Sequence, residues 1–245
     1  MIIGGLEKLT LIDYPGKISA IVFVQGCNFR CQFCYNPMLV LPLNWGRDQN
    51  ISPTGEGAKG HSFVKEEDLF HFLGTRIGKL DGVVISGGEP TIHNDLPEFI
   101  AKIKKLGFLV KLDTNGTNPE AVEGLIKNKL IDYIAMDLKS DKDNYDKIVG
   151  IKTNFDNIEK SVKIIINSGL PYEFRTTCVP GFHDEKIIAN MSKIISGSEK
   201  WFLQKFKSDT GLIEERLEGG LSFTDEQMQK FADIGSEHVK ICQVR

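Results

Sequence analysis

The amino-acid sequence predicts an α/β fold, a partial (β/α)6 barrel of parallel strands with helices on its outer face. Six short runs rich in Val, Ile and Phe alternate with longer amphipathic segments along almost the whole chain of 245 residues. Alternation of this kind indicates a parallel sheet whose crossover connections are helical. Because six units are fewer than the eight of a closed barrel, we expect a partial barrel, with a doubly wound open sheet as the alternative.

The predicted strands are short and apolar, and most of them end in a turn that contains Gly, Asn or Asp. In chain order they are ISAIVFVQG (18–26), DGVVISGG (81–88), FLVKLDTNG (108–116), LIDYIAMDLK (130–139), PYEFRTTCVPG (171–181) and WFLQKFKS (201–208), with a short final strand expected in HVKICQVR (238–245). In folds of this class the active site lies at the carboxyl ends of the strands. Polar residues that follow the strands are therefore candidates for function.

The predicted helices have apolar residues near helical spacing and local start or stop signals. They are FVKEEDLFHFLGTRIGKL (63–80), LPEFIAKIKKLG (96–107), NPEAVEGLIKNK (118–129), NFDNIEKSVKIIINSG (154–169), DEKIIANMSKIIS (184–196) and TDEQMQKFADIGSE (224–237). Asn118 is expected to cap one of them, with Pro119 at its first position. Residues 41–62, rich in Gly, Pro, Asn and Ser, are expected to form a surface loop. No linker divides the chain, so we expect a single domain over residues 1–245.

Composition and charge exclude several classes of function. The formal net charge of −3 gives no electrostatic case for binding nucleic acid or an anionic membrane. No apolar run approaches the ~20 residues of a membrane span, and the N-terminus lacks the pattern of a signal peptide. Five cysteines, three of them close together, form a poor disulfide framework. They indicate a reducing compartment, the cytoplasm.

Cys27, Cys31 and Cys34 lie in the stretch GCNFRCQFCYNP (26–37) and are the first candidates for metal binding. A structural zinc site needs four ligands, and the other two cysteines are far along the chain, although His61 could serve as the fourth. A four-iron cluster held by three thiolates leaves one iron with an open position for a substrate or cofactor. The spacing favours the cluster and leaves zinc as an alternative.

Three further motifs follow successive predicted strands. They are Ser-Gly-Gly-Glu-Pro at 86–90, Asp-Thr-Asn-Gly at 113–116 and Asp-Leu-Lys at 137–139. Paired glycines allow the backbone to approach a ligand closely, and charged groups at strand ends suit a polar site. Each motif alone has a simpler interpretation, as a Gly-Gly turn, an Asn-Gly turn or a solvated strand end.

The spacing CxxxCxxC, with the aromatic Phe33 before the last cysteine, resembles the signature of the radical S-adenosylmethionine (SAM) superfamily. The DTNG and DLK motifs resemble those of one subgroup, the glycyl-radical-enzyme activating enzymes. The resemblance implies a TIM-like partial barrel and one [4Fe-4S] cluster, held by the three cysteines, whose open iron binds SAM. In that superfamily the reduced cluster cleaves SAM to a 5′-deoxyadenosyl radical that abstracts hydrogen, so the cofactors carry the chemistry.

By the same resemblance, the motif after the second strand lies against SAM. Gly87 and Gly88 would let the backbone come close, and Glu89 would accept hydrogen bonds from the ammonium group of SAM. Arg175, near the end of a later strand, could pair with a carboxylate of SAM or with Glu89. A structural ion pair is an equal alternative for that arginine.

The other two motifs are expected to complete the binding of SAM. The resemblance implies that Lys139 faces the carboxylate of SAM. Asp113 and Asp137 would hold a monovalent cation beside it, and Asn115 belongs to the same turn as Asp113.

The start of the chain, GGLEKLTLIDYPGKISAIVFVQGCNFRC (4–31), resembles the activating proteins of anaerobic ribonucleoside-triphosphate reductase, and LIDYPGK is its most discriminating piece. This resemblance implies that the chain generates a glycyl radical on that reductase. Tyr35 departs from the His that the activating subgroup often has after its third cysteine. Residues 35–177 contain no cysteine, so we expect an external electron donor such as flavodoxin or ferredoxin in place of a ferredoxin-like insertion.

Two alternatives stay open. A radical SAM enzyme with the same motifs could act on another glycyl radical enzyme or on a small molecule. A zinc-stabilised binding module without catalysis would also use clustered cysteines. A simple electron carrier is disfavoured, because it would leave the open iron and the later motifs without a purpose.

Overall fold

The computed structural model describes residues 1–40, 63–209 and 211–245. Strands and helices alternate within these ranges, and the described strand pairs are parallel except for the first, which confirms the predicted α/β class. The strands are β1 (Ile3–Thr10), β2 (Ser19–Val24), β3 (Gly82–Gly87), β4 (Leu109–Thr114), β5 (Tyr133–Asp137), β6 (Tyr172–Cys178), β7 (Lys200–Lys205) and β8 (Ile241–Val244). The predicted strands are all present, and β1 is an addition that the sequence patterns did not predict.

The predicted helices are also present, with shorter bounds than their sequence patterns. The helices are α1 (Pro37–Val40), α2 (Glu66–Gly74), α3 (Leu96–Lys105), α4 (Pro119–Lys127), α5 (Tyr145–Val149), α6 (Phe155–Ile166), α7 (Glu185–Ile194) and α8 (Asp225–Gly235). Asn118 caps α4 as predicted, because its Oδ1 atom accepts a hydrogen bond from the Ala121 amide at 3.2 Å. Two short 3-10 helices lie at Pro90–Ile92 and Glu215–Leu217. None of the helices in the described ranges has the length and apolar character needed to cross a membrane.

The chain divides into two compact units. The first comprises Met1–Asn28, Met38–Asp113 and Gly124–Tyr133, and the second comprises Phe29–Pro37, Thr114–Glu123 and Ile134–Arg245. The single domain expected over 1–245 stays a prediction. The surface loop expected at 41–62, which includes His61, lies outside the described residues.

In the first unit β1 pairs with β2 in antiparallel fashion, and β2, β3 and β4 follow in parallel. Val22, Ile85 and Leu112 are neighbours across the three parallel strands, and all three are fully buried. Parallel strands covered on both faces are continuous apolar runs, which is why these strands were recognisable in the sequence.

The segment before β2 closes the amino-terminal side of this unit. Tyr14 is only 4% exposed and packs with Ile21, Val84 and Tyr133. The Lys17 amide donates to the Tyr14 carbonyl oxygen at 3.0 Å, so LIDYPGK forms a turn before the strand. Of this motif Tyr14 therefore lies in the core of the first unit, whereas Leu11 and Ile12 are exposed.

In the second unit β5, β6, β7 and β8 are parallel neighbours. Trp201 on β7 is fully buried between its register partners Phe174 and Cys242. Its Nε1 atom donates to Thr176 Oγ1 at 2.9 Å, which satisfies the polar atom of this large core side chain.

Candidate active site

The GGEP motif of the first unit brings the end of β3 against the loop that follows β2. The Gly88 amide donates to the Val24 carbonyl oxygen at 2.9 Å, and the Glu89 amide donates to the Gly26 carbonyl oxygen at 2.8 Å. Gly87 has a φ of 114°, and a Cβ atom at Gly88 would overlap the Gly26 carbonyl. Both glycines are therefore required for the backbone to pass beside the residue that precedes Cys27.

Glu89 is buried, with 1% of its surface exposed. Its Oε1 atom accepts hydrogen bonds from the Thr91 amide at 3.0 Å and from the Thr91 hydroxyl at 2.5 Å. These bonds cap the 3-10 helix at Pro90–Ile92 and fix the orientation of the carboxylate. The role predicted for Glu89, acceptance of the ammonium group of SAM, stays a prediction.

Asp113, near the end of β4, is ion-paired within the first unit. Lys111 Nζ lies 2.5 Å from Asp113 Oδ1, and the Ser86 hydroxyl donates to Asp113 Oδ2 at 3.0 Å. Lys111 is 1% exposed, and the sequence analysis did not single it out. Lys111 lies two residues before Asp113 on β4, so both side chains are on the same face of the strand. This spacing could have identified Lys111 from the sequence.

The second unit contains most of the cysteine motif, and we call residues 29–37 the cluster loop. A turn closes it, because the Cys34 amide donates to the Cys31 carbonyl oxygen at 3.0 Å. Cys31 is 9% exposed and Cys34 is intermediate in burial. Cys27 belongs to the first unit, so ligation of one cluster by all three cysteines stays a prediction.

Helix α5 holds the first half of the cluster loop. The Arg30 amide donates to the Val149 carbonyl oxygen at 2.8 Å, and Gln32 Nε2 donates to the Lys147 carbonyl oxygen at 3.1 Å. These two bonds satisfy carbonyl groups at the end of α5 that have no partner within the helix. Gly150, with a φ of 71°, follows the helix in the left-handed conformation and lies against the Arg30 carbonyl.

Two aromatic side chains anchor the interior of the cluster loop. Phe29 is 2% exposed and packs edge-on against Tyr145, with ring centroids 6.1 Å apart. Phe33 is 3% exposed, and Lys139 Nζ lies 6.0 Å from the centroid of its ring. Phe33, the residue directly before the third cysteine, therefore contacts the lysine of the DLK motif.

Asp137, Lys139 and Arg175 form an ion-paired cluster in the second unit. Lys139 Nζ lies 3.0 Å from Asp137 Oδ2, and Arg175 Nε lies 2.9 Å from Asp137 Oδ1. Asp137 and Arg175 are register partners on β5 and β6, so the parallel sheet sets this geometry. Arg175 thus makes an ion pair with Asp137, and its predicted contact with a carboxylate of SAM or with Glu89 stays a prediction.

The charges of Asp137, Lys139 and Arg175 shift one another's pKa values, and Lys139 also affects the pKa of a cysteine in the cluster loop. Burial opposes ionisation of Asp137, but the charges of Arg175 and Lys139 outweigh it and hold the pKa of Asp137 well below its usual range. Burial also opposes the charged form of Lys139, and the charge of Asp137 outweighs it and raises the pKa of Lys139. Burial raises the pKa of Cys31 to about 11, and the charge of Lys139 acts against that shift. One carboxylate thus contacts two cations, and one of them, Lys139, favours the ionised form of the buried Cys31 thiol.

Asn115 makes local contacts at the start of α4. Its Oδ1 atom accepts hydrogen bonds from the Thr117 amide at 3.0 Å and the Thr117 hydroxyl at 2.7 Å. Ser161 on α6 donates its hydroxyl to the Gly116 carbonyl oxygen at 2.7 Å. The bonds of Asn115 to Thr117 form the Asn-Gly turn that the sequence offered as the simpler interpretation.

Asp113 and Asp137 belong to different units, so the monovalent cation site stays a prediction.

The sequence analysis did not single out His183, which supports the main chain of Lys139. His183 Nδ1 accepts a hydrogen bond from the Val179 amide at 3.0 Å, and its Nε2 atom lies 2.9 Å from the Lys139 carbonyl oxygen. These contacts assign the proton of the neutral ring to Nε2. Burial lowers the pKa of His183, which is 4% exposed. The stretch GFHD follows the carboxyl end of β6, where functional residues are expected, and this position in the sequence could have pointed to His183.

The donor set suits a thiolate-bound iron–sulfur cluster. Cys31 and Cys34 are sheltered thiols joined by a tight turn, and the positive charge of Lys139 lies near both of them. The positive charge of Lys139 favours the thiolate form and acts against the effect of burial, and both charge and exposure are means by which a protein tunes such a cluster. Among the described residues, no three His, Cys, Asp or Glu side chains converge on a position for a single metal ion.

Comparison with protein families gives one match over most of the chain. Residues 21–194 match the model of the radical SAM superfamily. A putative glycyl-radical enzyme activating enzyme from Methanocaldococcus jannaschii is 36% identical over 219 residues, which cover 87% of this chain and 83% of that protein. The pyruvate formate-lyase-activating enzyme of Clostridium pasteurianum is 33% identical over 208 residues, covering 81% of this chain and 79% of the relative.

Solved structures with the same fold have much lower sequence identity. A domain of a pyruvate-formate lyase-activating enzyme from Bacteroides vulgatus superimposes with a TM-score of 0.54 and 20% identity, covering 67% of this chain and 98% of that one. Streptococcus suis SuiB bound to its precursor peptide SuiA gives a TM-score of 0.63 and 15% identity, covering 91% of this chain and 47% of that one. These likenesses support the predicted partial barrel.

Proposed function

Because this chain belongs to the radical SAM superfamily, and within it to the glycyl-radical-enzyme activating enzymes, we propose that its partner is anaerobic ribonucleoside-triphosphate reductase. The observation that carries the choice of partner is the N-terminal segment with LIDYPGK, which resembles the activating proteins of that reductase. The chain is a radical SAM oxidoreductase that uses a [4Fe-4S] cluster and SAM. When bound, the cluster supplies the electron that cleaves SAM to the hydrogen-abstracting radical.

In this proposal the cysteines hold the cluster and the strand ends hold SAM. Cys27, Cys31 and Cys34 would hold the cluster, and an iron without a protein ligand would be available to SAM. Lys139 binds the carboxylate of SAM, since its ammonium group lies beside the cluster loop and keeps its charge. Glu89, fixed by Thr91, accepts hydrogen bonds from the ammonium group of SAM.

The remaining motif residues have positioning roles in the proposal. Gly87 and Gly88 let the main chain approach SAM, and Asn115 shapes the turn after β4. Arg175 keeps Asp137 ionised. Asp113 and Asp137 hold a monovalent cation only if it displaces their lysine partners in part, because each carboxylate already has an ammonium neighbour.

The proposed reaction has further requirements outside the chain. An external donor such as flavodoxin or ferredoxin would supply the electron, since residues 35–177 contain no cysteine for a further cluster. Among the described residues no cysteine forms a disulfide, which supports a reducing compartment, the cytoplasm. The substrate would be a glycine on a peptide loop of the partner, and no nucleic acid or membrane takes part.

A second candidate partner is another glycyl radical enzyme. The 33% identity with the pyruvate formate-lyase-activating enzyme of Clostridium pasteurianum favours pyruvate formate-lyase as that alternative. The cluster and SAM chemistry would be the same, and only the surface that receives the glycine loop would differ.

The test begins with anaerobic reconstitution by iron and sulfide, followed by dithionite and SAM. We expect 5′-deoxyadenosine and methionine in equal amounts, and Ser in place of Cys27, Cys31 or Cys34 should abolish both. Cys242→Ser, far from the motif in sequence, is the control that should retain activity. Full activity in any one of the three motif variants contradicts the ligand assignment.

The partner is identified by the glycyl radical signal in electron paramagnetic resonance. Purified ribonucleotide reductase and pyruvate formate-lyase are incubated separately with the reduced protein and SAM. A signal on the reductase alone supports the proposal, and a signal on the lyase alone supports the second candidate. SAM cleavage without a signal on either enzyme contradicts both choices of partner.

A further inference from the structure

A segment after β7 contacts the cluster loop at two main-chain amides. The Lys207 amide donates to the Tyr35 hydroxyl at 2.9 Å, and the Glu214 amide donates to the Gln32 carbonyl oxygen at 2.9 Å. We call residues 206–209 and 211–220 the strap. Its two contacts lie on either side of Cys34, so they constrain the loop at that cysteine.

The strap is closed on itself and rooted in the core. The Ser208 hydroxyl donates to the Gly220 carbonyl oxygen at 2.7 Å, and the Gly219 amide donates to the Ser208 carbonyl oxygen at 2.8 Å. Phe206, directly after β7, is 2% exposed, and Leu212 is 5% exposed. A segment with two buried side chains and hydrogen bonds between its two ends is a firm support for a neighbouring loop.

Tyr35 reaches this support in two ways. Its ring stacks on the ring of Phe206, with centroids 6.3 Å apart and an angle of 17° between the planes. Its hydroxyl accepts the hydrogen bond from the Lys207 amide. The stacking fixes the plane of the ring and the hydrogen bond fixes its tip, so the backbone next to Cys34 is held at a defined position.

We propose that Tyr35 is a positioning residue that fixes Cys34, and with it one corner of the iron–sulfur cluster, by tying the cluster loop to the strap. The proposal rests on the ligand role assigned to Cys34 in the proposed function. It explains the use of tyrosine here, since phenylalanine would keep the stacking but leave the Lys207 amide without its acceptor.

The test compares Tyr35→Phe with Tyr172→Phe. Tyr172 is a matched control, because its hydroxyl also accepts a main-chain amide, that of Glu199 at 3.0 Å, and the bond does not involve the cluster loop. Each variant is loaded with the cluster, mixed with an iron chelator, and followed by loss of the visible absorbance. Loss should be about fivefold faster in Tyr35→Phe, the equivalent of one neutral hydrogen bond of about 1 kcal/mol, and unchanged in Tyr172→Phe.

A second measurement needs no cluster. The metal-free full chain is treated with iodoacetamide, and alkylation of Cys34 is measured by peptide mapping. Tyr35→Phe should raise the alkylation rate of Cys34 about fivefold while that of Cys242 stays the same. Exchange of the Lys207 amide hydrogen should also become faster, because that amide has lost its acceptor.

The outcomes separate the inference from the proposed function. Equal rates in Tyr35→Phe and Tyr172→Phe, in both measurements, overturn the positioning role even if the wild-type chain cleaves SAM. A wild-type chain that binds no cluster overturns the proposed function, and the alkylation of Cys34 then still decides the contact with the strap. If Tyr35→Phe fails to fold, Phe206→Leu removes the stacking instead and should also raise Cys34 alkylation.

Discussion

Lys139 Nζ lies 3.0 Å from Asp137 Oδ2, and the same carboxylate also accepts the guanidinium of Arg175. Two cations therefore share one carboxylate within the second unit. Lys139 also lies over the ring of Phe33, a member of the cluster loop. In the proposed function this pair of cations favours an anionic ligand, the carboxylate of SAM.

Asp137→Asn should lower the free energy of unfolding by about 2 kcal/mol. The variant leaves two partly buried cations facing each other without their anion, and the loss is below the ~3–5 kcal/mol of a fully buried pair because the side chains remain 16–29% exposed. Urea denaturation of the metal-free protein measures it. Asp225→Asn, which removes the exposed partner of Lys205, is the control and should leave stability nearly unchanged, because solvent screens that pair. Equal losses in the two variants would contradict the shared-anion arrangement.

Lys139→Met should raise the KM for SAM by about tenfold or more with a smaller effect on kcat. The reason is the loss of one charge-assisted hydrogen bond to the SAM carboxylate, worth about 1.5–3 kcal/mol. Lys142→Met, which removes an exposed lysine three residues later in the same segment, is the control and should leave KM unchanged. An unchanged KM in Lys139→Met, with intact SAM cleavage, would show that this lysine does not bind SAM.

His183 should make the protein less stable as the pH falls below about 6.5. Burial lowers the pKa of His183 in the folded state, so the unfolded chain binds the proton first and unfolding is favoured as the pH drops from the unfolded pKa towards the folded one. The slope contributed by one such group reaches at most about 1.4 kcal/mol per pH unit. Above pH 7 the histidine is neutral in both states and contributes no slope.

Urea midpoints between pH 7.5 and pH 5 check this expectation. His183→Asn should be less stable at pH 7.5, because the Val179 amide and the Lys139 carbonyl lose their aligned partners, and its stability should depend less on pH. Asn in place of the exposed His71 is the control for the loss of a histidine and should leave the stability at pH 7.5 unchanged. A variant at His183 with the full wild-type slope would assign the pH dependence to other groups.

Gly88→Ala should lower the free energy of unfolding by about 2–3 kcal/mol and impair cluster loading. The new Cβ atom would overlap the Gly26 carbonyl, which can move only by breaking its hydrogen bond to the Glu89 amide. Gly124→Ala in α4, where nothing lies within 4 Å of the added atom, is the matched control and should stabilise by up to about 1 kcal/mol. Cluster content by absorbance and urea denaturation are the two measurements. Normal loading in Gly88→Ala would show that the close approach is dispensable.

The elements that the sequence predicts well are those with a strong local pattern. Buried parallel strands are continuous apolar runs, and the motifs follow them because strand ends are where polar residues can cluster. The strand β1 was not predicted, because IGGLEKLT contains two glycines and alternating charges and becomes a strand only by pairing with β2. Helix α5 has five residues, too few to show a periodicity.

Among the site residues, too, only those that belong to a local sequence motif could be predicted. The cysteines and the residues of GGEP, DTNG and DLK are visible in the sequence, whereas their partners depend on tertiary contacts. His183 reaches the main chain of Lys139 across 44 positions of sequence, and Tyr35 reaches Lys207 across 172. No local pattern encodes such distances, so these supporting contacts become evident only in the folded chain.

The anchoring of the cluster loop also bears on how its sequence can diverge. The Arg30 amide bonds to the Val149 carbonyl and the Gln32 carbonyl bonds to the Glu214 amide, and both contacts use main-chain atoms of the loop. Almost any residue supplies the same main-chain atoms, so these two contacts would survive a change of side chain at position 30 or 32, although a change of Gln32 would remove its side-chain bond to the Lys147 carbonyl. Phe29 and Phe33, which are buried, have no such freedom. The exposed side chains of the loop, which a partner could contact, can therefore change during evolution while the positions of the cysteine thiols stay the same.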